Sequence, residues 1–311
     1  MPRLHIGISG WTYPPWRGDF YPTGLTHARE LEYASQQVSS IEINGTFYAL
    51  QRPSSFVSWR ERTPEGFVFA VKGGRFITHM KKLRDVETPL ANFFACGVLA
   101  LGDKLGPVLW QLPPNFGLDL GRLAGFLELL PRTTYAAAAL AERHDERMTD
   151  RAWTTTDADR PVRHALEVRH ASYVDPAFVA LLRYHNVALV TADTAGKWPF
   201  LEDRTADFSY ARLHGDKELY VSGYSPQALD AWAEKVRAWS VDADPPDART
   251  VGAPKPSGSG ERDVFVYFDN DVKVRAPYDA MALARRLGVG PEAGVGSANR
   301  VGSGDGEDGH A

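Results

Sequence analysis

The 311-residue chain has one cysteine, and its net charge is only −4. A lone cysteine excludes an internal disulfide and any cysteine-rich zinc site. Cys96 lies in the apolar run from Phe93 to Leu101, which predicts a buried, inert thiol. The small negative charge gives no global signature for nucleic acid, although a local basic groove stays open. No apolar run reaches the roughly 20 residues that span a bilayer, and no signal-peptide core follows Met1-Pro2-Arg3. The expectation is a cytoplasmic protein without membrane contact and with no protein partner implied. No HExxH-type spacing marks a metal helix. No glycine-rich phosphate fingerprint follows the first strand, where Gly7-Ile8-Ser9-Gly10-Trp11 stands, which disfavours an open doubly wound sheet. There is no internal repeat.

What is present is a long alternation of strands and helices. Strands are expected over His5 to Trp11, Ser40 to Thr46, Phe67 to Lys72, Gly106 to Leu112, Val162 to Val168, Val187 to Asp193, Phe208 to His214 and Val264 to Phe268. Helices are expected over His27 to Gln37 with Thr26 as cap, Ser54 to Arg62, Leu90 to Leu101, Leu118 to Leu130, Tyr135 to Glu146, from Asp175-Pro176 to His185, from Ser225-Pro226 to Trp239, and Asp279 to Leu287. Eight strands, mostly followed by helices, in a chain of this length predict an α/β fold, a single (β/α)8 TIM-type barrel over residues 1–287. Two segments are expected to be disordered because they have little to bury: an inserted loop at 242–261 and a glycine-rich tail at 288–311.

The C-terminal ends of these strands are polar, and their N-terminal halves are apolar. The ends supply Ser9, Glu42, Asn44, Thr46, Lys72, Gln111, Glu167, Arg169, Asp193, Arg212, His214 and Asp269. By the two-residue period of a strand, Glu42, Asn44 and Thr46 share a face, as do Glu167 and Arg169, and Arg212 and His214. Barrel enzymes place their chemistry at this face. Arg212, Arg169 and Lys72 are read as anion binders, and Glu42, Glu167 and His214 as proton-transfer residues. Trp11, Asn44, His79, Gln111, Asp193 and Asp269 are read as further substrate contacts. His79 follows the third strand, and Lys81-Lys82-Leu83-Arg84 beside it forms either a solvated face or a phosphate-facing loop.

Three functions fit this set. The first is a hydrolase or lyase acting on a phosphate-bearing substrate, such as a sugar phosphate or nucleic acid. The second is a glycoside-processing enzyme using Glu42 and Glu167 as paired carboxylates. The third is a non-catalytic nucleic-acid-binding barrel. Trp11, Tyr13, Trp16, Tyr21, Phe47 and Tyr48 could stack on sugars or bases, or simply pack long loops. No cofactor is implied. A divalent metal on Glu42, Glu167, Asp193, His214 and Asp269 is the alternative, with Lys72, Arg169 and Arg212 competing for the same carboxylates.

Taken together, the motifs resemble those of the YecE-like family, also called the domain of unknown function 72 family. They are Gly7-Ile8-Ser9-Gly10-Trp11 with Trp16 and Phe20-Tyr21-Pro22; Glu42-Ile43-Asn44 with Thr46-Phe47-Tyr48; Lys72; Thr78-His79; Gln111-Leu112-Pro113-Pro114; Glu167-Val168-Arg169-His170; Asp193; Tyr210-Ala211-Arg212-Leu213-His214-Gly215; and Tyr267-Phe268-Asp269-Asn270-Asp271. The resemblance implies a TIM-type barrel without an established activity. That fold is similar to endonuclease IV-like and xylose isomerase-like barrels, which suggests a phosphodiester or sugar-phosphate substrate by analogy. The set of metal-binding histidines found in endonuclease IV-like barrels is absent. Two positions depart from the family pattern: Ser172-Tyr173 stands where Ser-Trp is usual, and Asp269 stands where Asn is usual.

Overall fold

The computed structural model describes residues 3–216, 219, 222–255, 258, 260–270 and 273–290. Eight strands follow one another around a closed, all-parallel barrel. They are β1 (Leu4–Ser9), β2 (Ser40–Ile43), β3 (Val68–Lys72), β4 (Leu105–Gln111), β5 (His164–Glu167), β6 (Ala188–Asp193), β7 (Phe208–Leu213) and β8 (Asp263–Phe268). Each pairs with its neighbour in sequence, and β8 closes on β1. The helices between them are α1 (Glu30–Ser35), α2 (Gly45–Tyr48), α3 (Pro53–Glu61), α4 (Glu87–Ala95), α5 (Leu120–Leu129), α6 (Thr134–Ala141), α7 (Pro176–Tyr184), α8 (Pro226–Ser240) and α9 (Arg275–Leu287). This is the expected (β/α)8 barrel. Among the described residues, no helix is long and apolar enough to cross a membrane.

Side-chain caps explain four helix starts. Asp119, Thr133, Asp175 and Ser225 each accept a backbone N–H of the first turn of α5, α6, α7 and α8. Such caps contribute about 1 kcal/mol each. The expected cap Thr26 makes no side-chain bond; its helix starts as a 3₁₀ turn at His27–Arg29 and stops at Ser35. The expected continuous helix from Leu90 to Leu101 also breaks. It ends at Ala95, and Gly97 turns the chain at φ 119° into a 3₁₀ stretch, Val98–Lys104. A Cβ at Gly97 would sit 2.6 Å from the Cα of Pro53, so the turn needs glycine twice over.

The core has two layers. A large outer one lies between strands and helices. A smaller cluster joins Ala70, Ala165, Ala188 and Ala192 to Phe208, Tyr210, Phe265 and Tyr267. Small residues on β3, β5 and β6 thus face large aromatics on β7 and β8, and together they fill the barrel. His5 stacks on Phe265 at 4.5 Å, and burial pushes its pKa down to about 4.

The expectation of disorder over 242–261 does not hold for the first part of that loop. Asp242 and Asp244 pair with the buried Arg204, and the backbone N–H groups of Arg249, Val251 and Gly252 donate to Glu202 and Asp203. The composition read as having nothing to bury supplies partly exposed carboxylates for a buried arginine instead. Residues 256–257, 259 and 271, and 291–311 of the expected tail, lie outside the described residues.

Candidate functional site

At the C-terminal end of the barrel the polar strand ends form two arrangements, one closed and one open. The closed one is centred on Arg212, which is fully buried. Its Nε donates to Glu42 Oε2 at 3.1 Å and its Nη2 to Glu42 Oε1 at 2.9 Å. Nη1 donates to Glu167 Oε2 at 2.7 Å. Nη2 also reaches Asp269 Oδ2 at 2.8 Å and Ser9 Oγ at 3.1 Å. Strand register explains the level at which these groups meet: Ser9 lies opposite Glu42, and Gln111 opposite Glu167. Ser9 Oγ and the Tyr210 hydroxyl donate to the two Glu42 oxygens at 2.5 and 2.6 Å. The Gln111 amide nitrogen lies 3.0 Å from both Glu167 oxygens. His214 is fully buried, with Nδ1 3.0 Å from Asp269 Oδ2.

Burying ions costs several kcal/mol each unless geometry and hydrogen bonds compensate. Here one guanidinium engages three carboxylates. Burial alone would raise the Glu167 pKa, but Arg169, Arg212, His214 and Lys72 overcome it and hold the carboxyl well below the usual range. Asp269 is depressed in the same way, with Arg212 and the His214 hydrogen bond outweighing burial. Burial disfavours the charge on Arg212, yet Glu42, Asp269 and Glu167 raise its pKa well above the usual value.

Several sequence expectations change accordingly. The donors of Arg212 are spent on the protein's own carboxylates, so it is not placed to grip an anion. Glu42 and Glu167 are tied to the same arginine and fully buried, so they do not form an open carboxylate pair for a glycoside. Arg212 also sits where a metal on these acids would have to lie. Among the described residues no group of three His, Cys, Asp or Glu side chains is arranged to hold one. Thr46 does not continue β2. The strand ends at Ile43, and the Thr46 hydroxyl bonds the carbonyls of Ile43 and Lys72 from within α2. Asp193 accepts the Tyr224 hydroxyl at 3.0 Å and lines a different hollow with Trp198 and Phe200. Trp11 packs edge-on against Trp59 at 5.4 Å, and its carbonyl accepts the Tyr21 hydroxyl. Trp16 and Tyr21 are core residues.

The open arrangement lies beside this centre. A cleft of about 850 Å³ is lined by Tyr13, Asn44, Phe47, Tyr48, Lys72, Arg75, His79, Met80, Gln111, Arg169 and Asp269. The structure therefore brings Asn44, Lys72, His79, Gln111, Arg169 and Asp269 together, as expected. Lys72, at the end of β3, places Nζ 4.5 Å from the Phe47 ring centroid. Burial, followed by Arg212, brings its pKa down to about 8 against the pull of Glu42, Asp269 and Glu167. His79 lies edge-on to the same ring at 5.0 Å and shares a 2.9 Å hydrogen bond between Nδ1 and Thr78 Oγ1. Burial, Lys72 and Arg169 push its pKa to about 4, so it is neutral at pH 7. Arg169 donates Nε to Glu167 at 2.8 Å and stacks on Trp198 at 3.9 Å.

His79 belongs to a π-helical turn, Phe76–Met80, a feature frequent at functional sites. Lys82, Leu83 and Asp85 follow with φ between 47° and 66°, a strained run for non-glycine residues. Sequence reasoning missed Arg75 and Met80, which this irregular turn brings to the rim. It also missed Tyr210 as a partner of Glu42, although the two-residue period already puts Tyr210 on the face of Arg212. A larger groove at the other end of the barrel, along Ser35–Val38 and Pro64–Phe67, contains none of the strand-end polar residues.

The sequence profile described as a protein of unknown function, DUF72, matches residues 5–300. The chain belongs to the DUF72 family. Among curated relatives, the UPF0759 protein YecE of Escherichia coli K12 is 33% identical over 129 residues, 41% of this chain and 44% of that protein. The UPF0759 protein YunF of Bacillus subtilis 168 is 28% identical over 121 residues, 36% of this chain and 41% of that protein. The aligned stretch thus spans less than half the length of either relative. A DUF72 crystal structure from Thermotoga maritima matches with a TM-score of 0.69 at 23% identity, covering 92% of this chain and 99% of that one. Another, from Enterococcus faecalis V583, gives 0.66 at 16% identity over 92% and 96%. These likenesses support the barrel fold; none carries an activity.

Proposed function

We propose that the cleft is the substrate site of an enzyme, a lyase or hydrolase, acting on a phosphate-bearing small molecule. One observation carries this reading: Glu42, Glu167 and Asp269 are all engaged by Arg212, and Lys72, Arg75 and Arg169, of which among the described residues only Arg169 pairs with a carboxylate, line the cleft and leave cations in excess of carboxylates. A cleft of this sign with partly apolar walls favours an anion. The roles foreseen for Glu42, Glu167 and His214 in proton transfer pass to two residues that line the cleft: His79, neutral at pH 7, and Lys72, of which about one-tenth is free amine there. With no open carboxylate pair to activate water, the lyase reading is favoured over the hydrolase one.

Calorimetry with glycerol 3-phosphate tests this. Binding by the wild type and about tenfold weaker binding by Arg169→Ala are expected, the size of one lost charge-assisted contact. Equal affinity in the two proteins overturns the reading.

A second reading has its own support. Met80 also borders an adjoining groove lined by Lys81, Lys82, Arg84 and Arg122, and Tyr48 and Phe76 are exposed at the rim. A single nucleic-acid strand could run from the mouth across this shelf. Asp85 and Asp119 offset part of its charge, by contacts to Lys81 at 3.8 Å and Arg122 at 2.8 Å. Steep salt dependence of oligonucleotide binding without turnover would favour this reading.

A further inference from the structure

Two lysines in this fold are equally buried, each 8% exposed, and they are treated in opposite ways. Lys104 gives three hydrogen bonds: to the carbonyls of Arg60 and Thr63 at 2.7 and 2.6 Å, and to Thr63 Oγ1 at 3.0 Å. That is a structural lysine, its ammonium fully engaged. Lys72 has the face of Phe47 instead. Among the described residues no carboxylate pairs with it, because Arg212 has taken Glu42, Glu167 and Asp269. Lys72 Nζ opens onto the cleft, and a largely buried lysine whose ammonium keeps few polar partners is unfavourable. Its retention at the floor of an open cleft points to use of the amine itself.

We propose that Lys72 is a nucleophile that forms an imine with the carbonyl carbon of an anionic aldehyde or ketone. This deepens the proposed function and rests on it, because Arg169 and Arg75 would hold the anionic end. Desolvation and a neighbouring cation are the two means by which proteins keep a lysine amine deprotonated and nucleophilic. Burial of the Lys72 side chain supplies the first and Arg212 the second. Facing Lys72 from the packed elements are Arg212 on β7, Glu42 on β2, Glu167 on β5 and Asp269 after β8, with His79 across the Phe47 ring. The balance of these groups leaves its pKa at about 8, so a useful fraction is free amine near neutrality.

The step balances without oxidant or reductant. The Lys72 lone pair forms the new N–C bond while the carbonyl π pair moves to oxygen, which takes a proton. The nitrogen then passes a proton to that hydroxyl, its lone pair forms the C=N bond as the C–O bond breaks, and water leaves a protonated imine, one proton having been taken from solvent overall. Solvent in the open cleft supplies and takes up these protons. The imine can accept the electron pair of an adjacent C–C or C–H bond, which is lyase chemistry.

The test is reductive trapping on the full chain with glycolaldehyde phosphate and cyanoborohydride, followed by peptide mass mapping. At pH 7 a pKa of about 8 leaves on the order of 100-fold more free amine than in an ordinary lysine. The expected result is an adduct on Lys72 at least ~10-fold faster than on surface lysines, slowed by glycerol 3-phosphate. Labelling spread evenly over surface lysines, or none at Lys72 while glycerol 3-phosphate binds, overturns the imine and leaves the anion site standing. Equal trapping of unphosphorylated glycolaldehyde on Lys72 supports the imine and removes the anion site. Because the native protein is labelled, the answer does not depend on a variant folding. Lys72→Met serves as the control, in which that adduct disappears.

Discussion

Arg212 and Lys72 are buried cations at the same end of the barrel, and they face opposite ways. Arg212 faces inward, with its donors on three carboxylates and a serine. Lys72 faces the cleft beside a phenylalanine. The first cluster resembles a plug that holds four strands together, and the second resembles a site. Charge at a strand end therefore does not by itself mark chemistry. What separates the two regions is whether the protein has already satisfied the charge.

The largest effect should come from breaking the plug. Arg212→Met strands three buried carboxylates and should destabilise the fold by about 3–5 kcal/mol, read from urea unfolding. A stable variant with lost anion affinity would instead place Arg212 at the ligand. Acid should reach the same cluster. The folded pKa values of Glu167 and Asp269 are depressed below their unfolded values near 4. Their contribution is thus complete above about pH 5 and is lost as pH falls through and below 4. A melting temperature that stays level between pH 5 and pH 3 would contradict this. Tyr210→Phe removes one buried hydrogen bond to Glu42 and should cost about 1–3 kcal/mol, with anion affinity unchanged.

The smallest effect on stability should come from the open side. The folded pKa of Lys72, about 8, lies below its unfolded value near 10.4. Its burial therefore weakens the fold below pH 8, and the penalty fades as pH rises towards 10. Lys72→Met should be as stable as wild type or more so at pH 7, and this advantage should shrink at pH 10. Loss of stability in Lys72→Met at pH 7 would assign Lys72 to the plug.

The barrel was readable in the sequence because every strand ends in a change of polarity and four of the nine helices α1–α9 carry a side-chain cap. Several residues of one cleft were readable too: Asn44, Lys72, Gln111, Arg169 and Asp269 at or just beyond strand ends, and His79 in the loop after β3. The division of labour was not. Glu42, Glu167 and Arg212 come from β2, β5 and β7, and only closure of the barrel brings them into contact. Once they meet, Arg212 engages both carboxylates, and a catalytic pattern in sequence becomes an internal network. Trp11 looked like a stacking surface because loop aromatics that pack on each other have the same composition as loop aromatics that face a ligand. Arg75 left no periodic signal, because the π turn beyond Gly73-Gly74 belongs to neither the strand nor the helix period.

A crystal structure with bound glycerol 3-phosphate tests the contrast between plug and cleft most directly. The account predicts phosphoryl oxygens about 3 Å from the terminal nitrogens of Arg169 and Arg75, with the Arg212 network intact. A phosphate on Arg212, with Glu42 or Glu167 displaced from it, would contradict the account.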